Sequence, residues 1–335
     1  MANRVFPYLK TTAPTVNDDT GDGHKVGDIW LDTTNDIIYQ VIDVTAGAAI
    51  WKRKATVTGT LTQNKQLKFD ADGNIVASSS DIGDAGGGTD YIGQKRLSLE
   101  SGVRVSTTDQ TAKTTVYWTD GNTNLSVSVP ATTNTPFDVF YSIAGNSLST
   151  VNWTNDTTRA TALAVDATLG MLVKSGDADK LYLGTGRTTG SSGQCEDSDA
   201  KRFVYNYYNR LQRRAFKYAT GTHTYTTAAW RYWNNDTGNK TEFIIGVIED
   251  SITLQAQGDL DPSSAGVVGI LAAALNTTSG AGQPVFRNDN AETVVAATLG
   301  MGFPSLGYNY LALLEYSSGA TMNYNFGQVA AILSM

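Results

Sequence analysis

Apolar runs, of about three to ten residues each as far as residue 183 and somewhat longer beyond it, recur along most of this chain, punctuated by Gly, Asn and Asp. In the first half of the long region beyond residue 95 they fall at 96–105, 114–118, 125–129, 137–143, 149–153, 162–164, 171–174 and 181–183, with turn residues at 120–122, 145–146 and 176–177. In the second half they fall at 222–233, 241–254, 266–275, 309–316 and 321–333. Runs of this kind, with little interruption between them, predict a sandwich or barrel, because βαβ units would need helices between the strands. Residues 244–248 are almost continuously apolar and predict a central strand, with Gly246 permitting a close approach.

Between these halves, residues 180–216 hold the densest mixture of aromatic, basic and amide side chains. Gly184, Gly186, Gly190 and Gly193 are expected to break the strand that begins there, leaving a long turn. Further on, Phe203, Tyr205, Tyr207 and Leu211 alternate with Arg202, Asn206 and Arg210, the period of a half-buried strand. Ala200, Phe203, Val204, Tyr207, Tyr208 and Leu211 also fall at helical spacing, so period alone leaves strand and helix open over 198–211. The Val, Phe and Tyr content and the β-rich flanks favour strand.

The first residues differ in texture. Short strands at 29–31, 37–41 and 49–52, separated by turn residues 32–36 and 45–47, make a small β meander too poor in core to stand alone. A hairpin at 67–76 around Asp72-Gly73 follows, and then a Gly-rich linker whose boundary belongs near 86–88. The expected organisation is an N-terminal attachment module over 1–55, a connector over 56–95 and a large antiparallel β domain over 96–335. The fold class is all-β, of jelly-roll or sandwich type.

Composition narrows the function. The 335 residues are 41% hydrophobic, enough for a substantial core, and only 17% charged. A net charge of −7 argues against nucleic acid as a partner, since phosphate neutralisation needs clustered Lys and Arg. The longest apolar run, 265–275, is too short to span a bilayer, so no membrane insertion is expected. The opening residues lack the apolar core of a secretory leader. Cys195 is the single cysteine and cannot form an intrachain disulfide.

Chemistry-bearing patterns are sparse. The Gly184 and Gly186 spacing does not fit a dinucleotide loop. His24 and His223 have no metal-ligand neighbours at the right spacing. Asp18, Asp19 and Asp22 have Ile29 at the twelfth position of a calcium loop, and Asp70 and Asp72 have Asp81 there in place of the bidentate Glu, so turn-forming Asp is the reading for both groups. No cofactor or metal is therefore expected. Glu249 and Asp250 are an adjacent acidic pair, but nothing else points to glycosidase chemistry. Trp230, Tyr232 and Trp233, beside Arg231 and Asn234, are the candidates for glycan contact, with a place in the core as the competing reading. Arg202, Arg210, Arg213 and Arg214 are candidates for a subunit contact with Glu196, Asp197 and Asp199, with solvated charge as the alternative.

Two sets of motifs carry a family resemblance. Gly27-Asp28-Ile29-Trp30, Asp32-Thr33-Thr34-Asn35, Tyr39 and Trp51 resemble a module found near the ends of bacteriophage tail-fibre and related appendage proteins. A longer ordered series runs through Arg96-Leu97-Ser98-Leu99, Thr114-Thr115-Val116-Tyr117, Pro136-Phe137-Asp138-Val139-Phe140 and Trp153-Thr154-Asn155-Asp156. It continues through Val173-Lys174-Ser175-Gly176-Asp177, Tyr182-Leu183-Gly184-Thr185, Glu196-Asp197-Ser198 and Arg202-Phe203-Val204-Tyr205-Asn206-Tyr207-Tyr208-Asn209-Arg210. This series, over about 240 residues, resembles a recurring phage virion domain of tail-fibre-like and head-fibre-like structural proteins; Leu211-Gln212-Arg213 departs mildly from its pattern. The resemblance implies a non-enzymatic, homotrimeric jelly-roll appendage, made in the host cytoplasm and built into the virion. Trp30, Tyr39 and Trp51 would then mark the segment that attaches it to other virion proteins of the capsid or tail. A receptor-binding protein that recognises a host cell-surface glycan is the alternative, and a depolymerising enzyme stands third.

Overall fold

A computed structural model describes residues 8–35, 37–56, 65–69, 75–81, 95–121, 124–167, 170–290 and 292–335. No α-helix occurs among them, and stacked, almost wholly antiparallel sheets place the chain in the all-β sandwich class that its alternation predicts. Two compact units divide it, residues 1–86 and 87–335.

The first unit holds a four-stranded sheet of Tyr8–Lys10, Ile29–Asp32, Ile37–Asp43 and Ile50–Thr56, in that order. Only the Tyr8–Lys10 pairing is parallel there. The Asp32 carboxylate accepts from the backbone N–H groups of Thr34 and Asn35 and from the Asn35 amide, which fixes the turn into the next strand. Asp19, examined above for calcium, instead accepts from Gly21 and Gly47 N–H at 2.6 and 2.5 Å and shapes a short 3₁₀ turn. Lys65–Phe69 and Ile75–Asp81 form an antiparallel hairpin. Its Asp72-Gly73 turn, Asp70, and the glycine linker at 86–88 lie outside the described residues.

Four sheets build the second unit. A three-stranded sheet (Asn124–Ser128, Thr115–Thr119, Arg96–Ser98) packs on a sheet centred on Pro136–Ser142 and Asp177–Arg187. Phe137, Val139, Tyr141, Leu181, Trp118 and Phe203 fill the space between them. A wide sheet then carries Gly269–Leu275, Gly307–Ser317 and Lys240–Ile245 at its centre. It faces a further sheet ordered Gln212–Ala219, Met322–Ser334, Ile252–Pro262 and Val294–Gly302, with a core of Leu254, Leu271, Leu313, Phe243, Val329 and Trp233.

Several expectations change in detail. The strand does not break at Gly184 or Gly186, because Asp177–Arg187 continues through both; the turn comes later, around Gly190 and Gly193. A Cβ at Gly184 would lie 2.1 Å from the Tyr205 carbonyl oxygen, and one at Gly186 2.4 Å from the Phe137 ring, so these glycines admit close neighbours within a strand. Region 198–211 is not helical; it forms two short strands, Lys201–Arg202 and Val204–Asn206, flanked by bends at 198–200 and 207–209. Phe203, Val204, Tyr205 and Asn206 are all buried, so alternation fails where both faces are covered. The predicted single strand 241–254 is two, Lys240–Ile245 and Ile252–Pro262, separated by a bend at 246–251.

Candidate functional site

The most unusual surface lies on a strand that turn punctuation hides in the sequence. Val294–Gly302 is the outermost strand of its sheet, and among the described residues it pairs only with Ile252–Pro262. Its inward positions are Ala296, Thr298, Gly300 and Gly302, small because the space is filled: a Cβ at Gly300 would meet Pro284 at 2.2 Å. Its outward positions, Ala297 apart, are the large ones. Val295, Leu299 and Met301, with Phe303 just past the strand's end, are 59, 72, 72 and 81% exposed. Ile332 and Tyr218 add further exposed apolar surface on the same sheet. The partner strand presents polar groups beside this row: register sets Gln255 opposite Leu299, Gln257 opposite Ala297 and Thr253 opposite Met301. From Thr293 to Leu314 the chain contains no Asp, Glu, Lys, Arg or His.

The candidate glycan residues divide. Trp230 and Tyr232 sit opposite Tyr316 and Leu314 on the outer face of the wide sheet, half-buried, over a small apolar cluster of Ala272, Ala274, Ala312 and Leu314. Tyr310 joins them, with the Lys240 ammonium 5.3 Å from its ring centre. Burial, and then the neighbouring Tyr310 phenol, hold the Tyr232 hydroxyl above its ordinary pKa. Trp233 has no part in this surface. It is 0% exposed and packs edge-on to Tyr324 and His223 over Gly258 and Gly327, so no ring face is free to stack on a sugar. Tyr310 and Lys240 are the members that the sequence reading missed; a Tyr at every second position from 308 to 310 was the available signal.

Behind Arg231 lies a buried ionic group. The Glu315 carboxylate, 0% exposed in the wide sheet, takes the Arg231 guanidinium and the His223 imidazole at 2.5 Å each. His223 also stacks on Tyr324, and Arg231 lies over the Tyr225 ring at 3.7 Å. These contacts give His223 a structural place. Among the described residues no three His, Cys, Asp or Glu side chains gather as a metal site requires.

All four arginines proposed for a subunit contact have acidic partners within their own chain. Arg202 pairs with Asp197 and Asp199 and donates to the Arg214 carbonyl, Arg213 reaches Asp197 at 3.2 Å, and Arg214 reaches Asp199 at 2.9 Å. Arg210 spans Glu249 and Asp250 together. One guanidinium thus draws both carboxylates to itself. The polar pocket of about 310 Å³ beside Asp250 is lined by Gln212, Ser251, Thr253, Ile332, Leu333 and Ser334, with no second carboxylate among them.

In the first unit, Trp30 and Trp51 lie 5.5 Å apart edge to face, with His24 against both and Tyr8 beyond. Their indole N–H groups donate to the Thr12 and Asp18 carbonyls at 2.7 and 2.9 Å. Tyr39 stands opposite Trp30 in the sheet.

No protein-family model matches the chain, and no curated protein sequence matches it at a significant level. Among solved structures, it is similar to the VP2 subviral particle of infectious bursal disease virus, at 10% identity and a TM-score of 0.28. That alignment covers 81% of this chain but spans only 64% of the VP2 chain. An exo-beta-1,3-galactanase from Phanerochaete chrysosporium aligns at 8% identity over 88% of this chain and 75% of its own, with a TM-score of 0.17. A GH43 glycoside hydrolase aligns at 10% identity over 90% and 84%, with a TM-score of 0.15. Scores this low establish no shared fold and assign no activity.

Proposed function

We propose that this chain is a non-enzymatic structural subunit of a bacteriophage particle, a homotrimeric fibre- or decoration-type appendage joined to other virion proteins through its N-terminal segment. The observation that carries the assembly reading is the row Val295, Leu299, Met301 and Phe303, large apolar side chains turned to solvent while the buried side of the same strand is Ala, Thr and Gly. A soluble monomer gains nothing from that arrangement, whereas a subunit gains the burial when copies meet. The ordered motif series over the second unit supports placing the subunit in a phage particle. Support for a non-enzymatic role comes from Glu249 and Asp250, both occupied by Arg210, since glycoside hydrolysis needs two free carboxylates across a sugar site.

Light scattering of the purified full chain tests the reading: a stable trimer is expected, and a monomer at high concentration overturns it. Antibody labelling of intact particles under the electron microscope tests the location in the virion. A second reading, recognition of a host-surface glycan, is favoured by the half-buried Trp230, Tyr232 and Tyr310 with Lys240 beside them. In that reading Trp230→Ala abolishes glycan retention without unfolding the chain, and unchanged retention removes Trp230 from the role.

A further inference from the structure

We infer that the outward row of the Val294–Gly302 strand lies along the threefold axis of the assembly, with its cover supplied by the same row of two further copies. This rests on the assembly reading above, threefold symmetry included, and adds to it the surface and the residues.

Three features select this occupant. The first is shape. Residues 295 to 303 along an extended strand span roughly 26 Å, and the row is one side chain wide, bounded by Gln255 and Gln257 of the neighbouring strand. A narrow stripe suits three copies meeting along a line; a twofold stack of sheets would need a broad apolar face. The strand is also the outermost of its sheet, so nothing in its own sheet stands between its side chains and an axis beside it.

The second is charge. On a symmetry axis a side chain meets its own copies, so any charge there would face like charge. The row itself, and the chain from Thr293 to Leu314, carries no acidic or basic side chain. Of the bordering groups, Gln257 accepts from Gln328 at 2.6 Å, and the acids Asp259, opposite Val295 at one end of the row, and Asp261 accept from Asn325 and Asn323 at 2.8 and 3.2 Å, which draws both toward amides of their own sheet. The third is area. Ile332 and Tyr218, on the same face beyond the polar border, add exposed apolar surface at the periphery of the contact, and with them the total approaches the order of the roughly 800 Å² per partner that a standard interface buries.

The test uses the full-length chain and two variants, with mass by light scattering and folding by circular dichroism. For the double variant Leu299→Lys/Met301→Lys, a monomer with an unchanged spectrum is expected, the association weakened by at least about a hundredfold because three lysines would meet at each level. The single variant Leu299→Cys is expected to give a reducible, covalently linked pair of chains under mild oxidation; the native Cys195 thiol, fully buried and pushed up to about 12, does not compete. A wild-type trimer that persists in the double variant overturns the inference and leaves assembly to another face. Should the double variant misfold, absence of the cross-link in the cysteine variant overturns it equally. A monomeric wild type overturns both readings, and its co-sedimentation with phosphatidylcholine vesicles would reassign the row to a lipid surface.

Discussion

Two neighbouring strands of one sheet obey opposite rules. In Ile252–Pro262 the inward side chains are Ile252, Leu254, Ala256, Gly258 and Leu260, all buried, while Thr253, Gln255, Gln257, Asp259 and Asp261 face out. In Val294–Gly302, hydrogen-bonded alongside, the inward positions after Val294 are small or polar, and the outward ones, Ala297 apart, are large and apolar. The backbone geometry is the same. What differs is what each strand has to satisfy. The first closes a core against Trp233 and Leu271, and the second meets an interior already filled by Pro284, Leu254 and Leu275. Scattered apolar residues on a surface are ordinary, but an inverted strand is not, and the contrast marks its outer row as a surface kept for contact.

That contrast can be broken by substitution on each side. The largest effect is expected at Glu315→Leu on the closed side, where Arg231 would lose its buried counter-charge and His223 its hydrogen-bond partner; a loss of about 3–5 kcal/mol in a urea titration is expected. Leu254→Ala, inward on the first strand, is expected to cost about 2–5 kcal/mol by the same measurement. Gly300→Val, inward on the second, forces a side chain toward Pro284 and is expected to cost about 1–3 kcal/mol; an unchanged midpoint would mean that this interior is not filled. Leu299→Ser, outward on the second, should shift the stability of the dissociated subunit by less than about 0.5 kcal/mol. The same change should abolish any dependence of the melting temperature on protein concentration. A large loss of subunit stability at Leu299 would erase the distinction between the two strands.

Much of the fold was legible where one face of a strand is buried and the other wet. The runs at 125–129, 137–143, 309–316 and 321–333 correspond to Asn124–Ser128, Pro136–Ser142, Gly307–Ser317 and Met322–Ser334. Legibility failed where that assumption fails. Val204–Asn206 is covered on both sides and lost its alternation, and Gly184 and Gly186 imitated a turn because tight packing and tight turning ask for the same residue. The edge strand was missed for a related reason. Leu299-Gly300-Met301-Gly302-Phe303 alternates perfectly in size, but two glycines in five residues resemble punctuation. At the aromatic surface, parity alone separates Trp233 from Trp230 and Tyr232, since an odd offset along an extended chain changes face. The pairing of Arg210 with both Glu249 and Asp250 joins residues about 40 apart in sequence, which no local pattern reveals.

The position of the inverted strand also bears on how the protein must be handled, by a cell or at the bench. An outermost strand offers its backbone to any other extended chain, and hydrocarbon beside it rewards whatever docks. A surplus of solitary copies is therefore a precipitation hazard while still fully folded, so solubility should track how promptly each new copy finds its companions.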